Sequence, residues 1–189
     1  MPEPLGLESK TVRLASYDER WPLLFEAEAR GITVAIARAG LPELILEHIG
    51  STAVPGLAAK PILDIAAARL PHTRPAAYID VLESIGYAYR GDRGIAGREF
   101  FSRGVPRSHH LHLVEWNSRH WLRYQRFRDA LRADAVLAEG YAELKRTLAE
   151  RYPFDREAYM AGKTEFVAFV LQNLAASGSD TSGISIASI

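Results

Sequence analysis

Apolar residues recur along this chain in two rhythms, and the change from one to the other divides it. Trp21, Leu24, Phe25, Ala29 and Ile32 fall at helical spacing and predict a helix over 21–39, with Asp18 placed to cap it. An extended stretch around 11–14 precedes it. Residues 44–49 read as a strand closed by Gly50. Residues 61–68 read as a second strand that is apolar almost throughout, the pattern of a strand covered on both faces. A helix is predicted over 75–85, short strands over 87–90 and 99–103 around a turn holding Gly91, Gly94 and Gly97, and a clear strand over 109–115. From Trp121 onward the rhythm is helical. Trp121, Tyr124, Phe127 and Leu131 make one stripe, Tyr141, Leu144, Leu148 and Tyr152 a second, and Phe166, Phe169, Val170 and Leu174 a third. These aromatic stripes read as core, not as base-stacking platforms.

The pattern predicts an α+β domain over residues 1–175. Its mixed sheet should hold 44–49, 61–68 and 109–115 side by side, with the helices after Trp121 packed around one edge or face. Residues 176–189 are small and polar and are predicted to be a disordered tail. The length of 189 residues fits one domain with a real core. With 23 basic and 23 acidic side chains there is no global field to draw nucleic acid or an anionic membrane, so any anion site must be local. No cysteine is present, which excludes thiolate metal sites and cysteine nucleophiles. The start of the chain lacks the pattern of a secretory signal and no long apolar run appears anywhere, so a soluble, cytoplasmic protein is expected.

One residue breaks the second strand's apolar run. Asp64 costs several kcal/mol to bury unpaired, so it requires a partner or a polar cleft. The strand before it ends in Gly50-Ser51, where a missing side chain lets backbone N–H groups approach a phosphate and a hydroxyl adds a donor. A carboxylate on the neighbouring strand can hold a divalent cation beside that phosphate. A tight turn followed by a hydrogen-bonded Asp is the plain alternative. On the 109–115 strand, alternation puts His110 and His112 on one face, close enough to reach one ion, while His109, Leu111, Leu113 and Glu115 share the other. Lys60 precedes the Asp64 strand and Arg107 precedes the histidines, both suited to the rim of a phosphate site. Lys163 falls on the helical face of Tyr159, Phe166, Val167 and Val170, where an ammonium needs an anion or a path to water. Arg98 and Arg103 flank Phe100-Phe101, and alternation cannot bring both to that rim.

The spacing of Gly50-Ser51 and Asp64 resembles the signature of the nucleotidyltransferase superfamily, the DNA polymerase beta-like fold. More closely, "IGSTAVPGLAAKPILDI" together with "YDERWP", "HHLHLVE", "FRDALR" and "KTEF" is similar to the GrpB-like family of uncharacterised proteins, from about Val12 to Gln172. The family's members are similar to domains fused behind dephospho-CoA kinases, which implies a nucleotide or coenzyme A context. The resemblance implies a nucleotidyltransferase-like fold and transfer of a nucleoside monophosphate from an NTP to a small acceptor. In that scheme Gly50, Ser51, Arg107 and Lys163 bind phosphates, Asp64 and Lys60 are catalytic, and Asp64 with His110 and His112 hold Mg2+ or Mn2+, or a transition metal. One departure stands out: Ala66 occupies the place of the superfamily's second carboxylate. Two other readings therefore stay open. One is a catalytically silent nucleotide or coenzyme A binding domain; the other is a hydrolase using Asp64, His110 and His112 as a two-His, one-carboxylate set. The acceptor and the oligomeric state lie beyond the sequence.

Overall fold

The computed structural model describes residues 4–179, and it resolves the two rhythms into one sheet and a helical layer. The first is α1 (Trp21–Arg38), followed by β1 (Ile45–Ile49), a single 3-10 turn at Ser51–Ala53, β2 (Leu63–Arg69) and α2 (Ala76–Ser84). Then come β3 (Ala88–Tyr89), β4 (Arg98–Arg103), β5 (His109–Glu115), α3 (Arg119–Ala133), α4 (Ala135–Arg151), α5 (Arg156–Ala161) and α6 (Thr164–Ser179). The sheet order is β1-β2-β5-β4-β3. Only the β2–β5 pair is parallel, so the sheet is mixed and the three longest predicted strands lie side by side.

β2 is interior to the sheet and covered on both faces, as its unbroken apolar run requires. One face carries Ile65, Ala67, Leu111 and Leu113, packed under Ile32 and Ile36 of α1 and Tyr78 and Leu82 of α2. The other carries Ala66, Ala68 and Val114 and receives Trp121 of α3. α4 and α6 pack in turn on α3. Trp121 covers only one end of this face. At the other end Asp64, His110 and His112 share the same parity and open on a cavity.

Three details differ from the pattern. Asp18 does not cap α1: its carboxylate is taken by the backbone N–H and guanidinium of Arg20, and Arg20, which occupies the cap position, gives the helix no side-chain capping bond. α3 begins at Arg119, not Trp121, because Ser118 accepts a hydrogen bond from the Trp121 N–H and starts the helix two residues early. α6 continues through Ser179, past the expected start of the tail at residue 176, since Ala175-Ala176 are strong helix formers. The remainder of that predicted tail, 180–189, lies outside the described residues. Among the described residues no helix is long and apolar enough to cross a membrane.

Ala66, where a second carboxylate was sought, has no exposed surface and sits against Trp121 and Val114. Ala66→Asp should therefore cost about 3 kcal/mol or more by chemical denaturation, and more at pH 8 than at pH 4, where the acid is buried neutral. Equal stability at pH 8 would mean that this position has access to solvent.

Candidate functional site

β2 and β5 run in parallel register, with Asp64 beside His110 and Ala66 beside His112. The His110 Nδ1–H donates to Asp64 Oδ1 at 2.8 Å, and His112 Nε2 lies 3.7 Å from the same oxygen. Burial works to raise the Asp64 pKa, but the two imidazoles overrule it and hold the carboxyl well below the usual carboxylate range. Burial likewise lowers His110 to about 4 against the pull of Asp64, so at neutral pH it is an uncharged donor. About a third of the Asp64 side chain remains open to the cavity, at 32% exposure.

Gly50 follows β1 directly and lies against this carboxylate. Its φ is +71°, and a Cβ built there would stand 2.8 Å from Asp64 Oδ2 and 3.1 Å from Asp64 Cβ. No side chain fits between them. The turn after Gly50 is fixed from two directions. Thr52 Oγ1 meets His48 Nε2 at 3.0 Å, and from α3 Arg128 donates to the His48 carbonyl at 3.0 Å and Arg132 to the Ala53 carbonyl at 2.9 Å. The arginines of "FRDALR" thus position the loop, a role that sequence reasoning missed.

The cavity has a volume of about 420 Å3 and brings together Ser51, Lys60, Asp64, His110, His112 and Lys163. Two predicted site residues do not line it: Gly50, which lies against Asp64, and Arg107. Of these, Arg107 is the charged one. It stands behind the wall, half-buried, near enough to feel the charges of Arg156, Asp64 and Arg93, with Nε and Nη2 unpartnered. Arg98 reaches the cavity, whereas Arg103 pairs with Glu28 on the opposite face beside His109. The sequence reading missed Arg93, Lys145 and Arg156 as lining residues. Lys145 carried a signal: it lies four residues after Tyr141 on an apolar helical stripe, the same anomaly that marked Lys163. Arg156 stands on a six-residue helix, too short to show a period.

The electrostatics of this cavity are one-sided. Lys60, Arg93, Arg98, Lys145, Arg156 and Lys163 face two acids, Asp64 and Glu157. Burial lowers Lys60 to about 7, reinforced by Lys163, Arg156 and Arg107 against the opposing pull of Asp64. Burial also lowers Lys145 to about 7 and Lys163 to about 8. The amines rest on aromatic faces, Lys60 and Lys163 over Tyr159 at 5.2 and 4.6 Å and Lys145 over Tyr141 at 4.8 Å. Arg98 Nε and Arg156 Nε are buried without a hydrogen-bond partner. This is a seat built for several negative charges.

The expected three-residue metal site does not form. Among the described residues no group of three His, Cys, Asp or Glu side chains is arranged to hold an ion. The reason is the register: His110 sits beside Asp64 and spends its Nδ1–H on the carboxylate instead of turning a lone pair to a shared ion. What remains for a cation is the one carboxylate, a donor set that suits Mg2+ or Mn2+ shared with a ligand's phosphates better than a transition metal.

The sequence profile of the GrpB protein family matches residues 11–173. The chain belongs to the GrpB family. UPF0157 protein PA4798 of Pseudomonas aeruginosa is 45% identical over 159 residues, 82% of this chain and 64% of that protein. UPF0157 protein YqkA of Bacillus subtilis is 34% identical over 166 residues, 87% of this chain and 47% of that protein. The chain thus spans about half to two thirds of the length of these two relatives. The crystal structure of conserved protein GrpB from Enterococcus faecalis overlays with a TM-score of 0.74 at 32% identity, covering 87% of this chain and 98% of that one.

Two expectations follow from the GrpB site. Gly50→Ala should destabilise the fold by about 1–3 kcal/mol in urea, and combining it with Asp64→Ala should recover part of that loss. Strict additivity of the two would show that Gly50 is not confined by Asp64. The lysines give a pH signature. Their folded pKa values lie below the unfolded value near 10.5, so the unfolded chain binds more protons between about pH 7 and 10.5 and stability rises with pH across that window. Lys145→Met should flatten this rise in thermal melts recorded without added anions; an unaltered slope would show that Lys145 is charged when folded.

Proposed function

We propose that the cavity binds a nucleoside triphosphate by its phosphates, for transfer of the nucleoside monophosphate to a small acceptor. One observation carries this reading: six cationic side chains, three of them desolvated lysines, converge on a single cavity whose acids are Asp64 and Glu157. Among the described residues, these two acids leave most of the lining's positive charge unanswered. A triphosphate supplies the counter-charge, and with it the lysines recover the protons that burial takes from them.

In the transfer, an acceptor oxygen forms a new bond to the α-phosphorus, the bond from that phosphorus to the bridging oxygen of the β-phosphate breaks, pyrophosphate leaves, and the acceptor's proton passes to solvent. Lys60, Lys145, Lys163 and Arg156 offset the charge that builds on the leaving pyrophosphate. Ser51 adds a hydroxyl donor at the cavity wall. Asp64 is too weak a base to take the acceptor's proton, because His110 and His112 hold it ionised. Its contribution is fixed negative charge, and it is the residue that would hold a Mg2+ or Mn2+ ion arriving with the nucleotide. Such an ion supplies charge neutralisation at the phosphates.

The silent binding-domain reading has its own support in Ala66. That position is sealed under Trp121, so the superfamily's second carboxylate is missing and cannot simply be restored there. Turnover separates the two.

Titration calorimetry with tripolyphosphate at pH 7 should give binding that weakens about tenfold in Lys163→Gln and declines from pH 7 to 9 as the lysines deprotonate. Asp64→Asn should bind metal-free tripolyphosphate more tightly than wild type, because a like charge is gone, and should lose the enhancement that Mg2+ gives. No binding by the wild type would end the phosphate-seat reading. Binding without release of pyrophosphate from any NTP and acceptor mixture would leave the silent domain.

A further inference from the structure

Beside the Asp64 cavity lies a second recess of about 670 Å3, bounded by Arg98, Arg119, His120, Arg123, Tyr124 and the 94–96 turn. It has three guanidinium groups and no carboxylate in its walls. Among the described residues, neither Arg119 nor Arg123 takes part in an ion pair. Arg98 is nine-tenths buried, at 8% exposure, and its Nε has no partner.

The placement of these bases works against the helix that carries them. Arg119 and Arg123 stand four residues apart on α3, where like charges repel. The first turn of α3 holds Arg119 and His120 and no acid, although the helix dipole favours negative charge at that end. Both costs reverse when an anion sits between the bases. Arg119 Nε donates to His120 Nε2 at 3.3 Å, and that nitrogen lies 3.0 Å from the Ala96 carbonyl, but among the described residues no carboxylate answers the bases; local conflicts of this kind mark positions set by function.

The recess shares a wall with the first cavity. Arg98 and the 94–96 turn's Ile95 line both, and the Tyr124 ring stands 5.2 Å from His112, which lines the first. Arg98 is therefore placed to meet a charge on either side of that wall.

We propose that this recess seats the acceptor, a small molecule carrying a compact oxyanion, either a phosphate monoester or a carboxylate. The proposal rests on the reading of the Asp64 cavity as the triphosphate seat. Arg119, Arg123 and His120 grip the oxyanion, and Arg98 stands between it and the triphosphate. The oxyanion gives the recess its selectivity over neutral acceptors such as simple alcohols.

The two sites are separable by 31P NMR and calorimetry on the whole chain. Wild-type protein saturated with tripolyphosphate is titrated with glycerol phosphate in one arm and succinate in the other, and the same is done with Arg119→Gln/Arg123→Gln. Saturable binding of either oxyanion to the loaded wild type is expected, with the arm that binds telling phosphate from carboxylate. In the double variant that binding should weaken about tenfold or more while tripolyphosphate affinity holds. Thermal melts should show the variant folded and no less stable, since a repulsion has been removed. Failure of both oxyanions to bind, or binding undiminished in the double variant, overturns the acceptor seat and leaves the triphosphate reading standing. Failure of tripolyphosphate to bind the wild type removes that reading instead; glycerol phosphate and succinate are then titrated into the unloaded proteins, and undiminished binding by the double variant, or none by the wild type, overturns the recess as well.

Discussion

The site depends on keeping Asp64 ionised inside a sheet that is otherwise closed to water. A carboxylate in an interior strand has to be answered locally, and the surrounding sequence answers it in three ways. β5 pairs in parallel beside β2 so that two imidazoles reach one oxygen. β1 ends in a glycine because any Cβ there would meet the other oxygen. The helices cover only half of that face, with Trp121 over Ala66 and nothing of its size over Asp64, so the carboxylate keeps a window on the cavity. Remove the charge and none of these features is required.

The cations around the cavity pose the opposite problem. Lys145 and Lys163 stand on helical faces that are otherwise apolar, and aromatic rings and a backbone carbonyl are what they find there, Tyr141 and Ala58 in one case and Tyr159 in the other. Those contacts favour the ammonium but replace less of its hydration than burial removes. The free protein therefore holds these lysines at a cost, with pKa values brought down to about 7 and about 8, and stability alone would replace them with methionine. Their presence follows from a task that stability opposes, as site residues often do.

The fold was largely legible because its signals are periodic. Unbroken apolar character in β2 means cover on both faces, alternation in β5 separates the histidines from the leucines, and the later stripes are helices. The site was legible where a single residue contradicts its surroundings, as Asp64 and Lys163 do. Lys145 contradicts its stripe just as strongly and was passed over as part of a core helix. Arg93 and Arg156 sit in a turn and a one-and-a-half-turn helix, where no period exists to contradict. The metal set failed for a different reason. Strand alternation fixes which face a side chain takes but not the register between strands, and here the register turns His110 into a donor for Asp64. Asp18 failed similarly, its carboxylate drawn to a guanidinium two residues away.

Chemistry at this site has to be read through Asp64, the one carboxylate that its central strands supply. In a two-metal phosphoryl transfer, several acids hold both ions and the ions neutralise the phosphates. In this chain the neutralising charge is already supplied by protein, six cations around one cavity, and a second carboxylate at position 66 would be buried under Trp121. The two strategies are alternatives, since each added carboxylate would cancel one of the lysines that the proposed triphosphate would meet. Under the proposed reading, nucleotide binding is sensitive to pH as well as to Mg2+, because lysines near pH 7 to 8 titrate where magnesium does not.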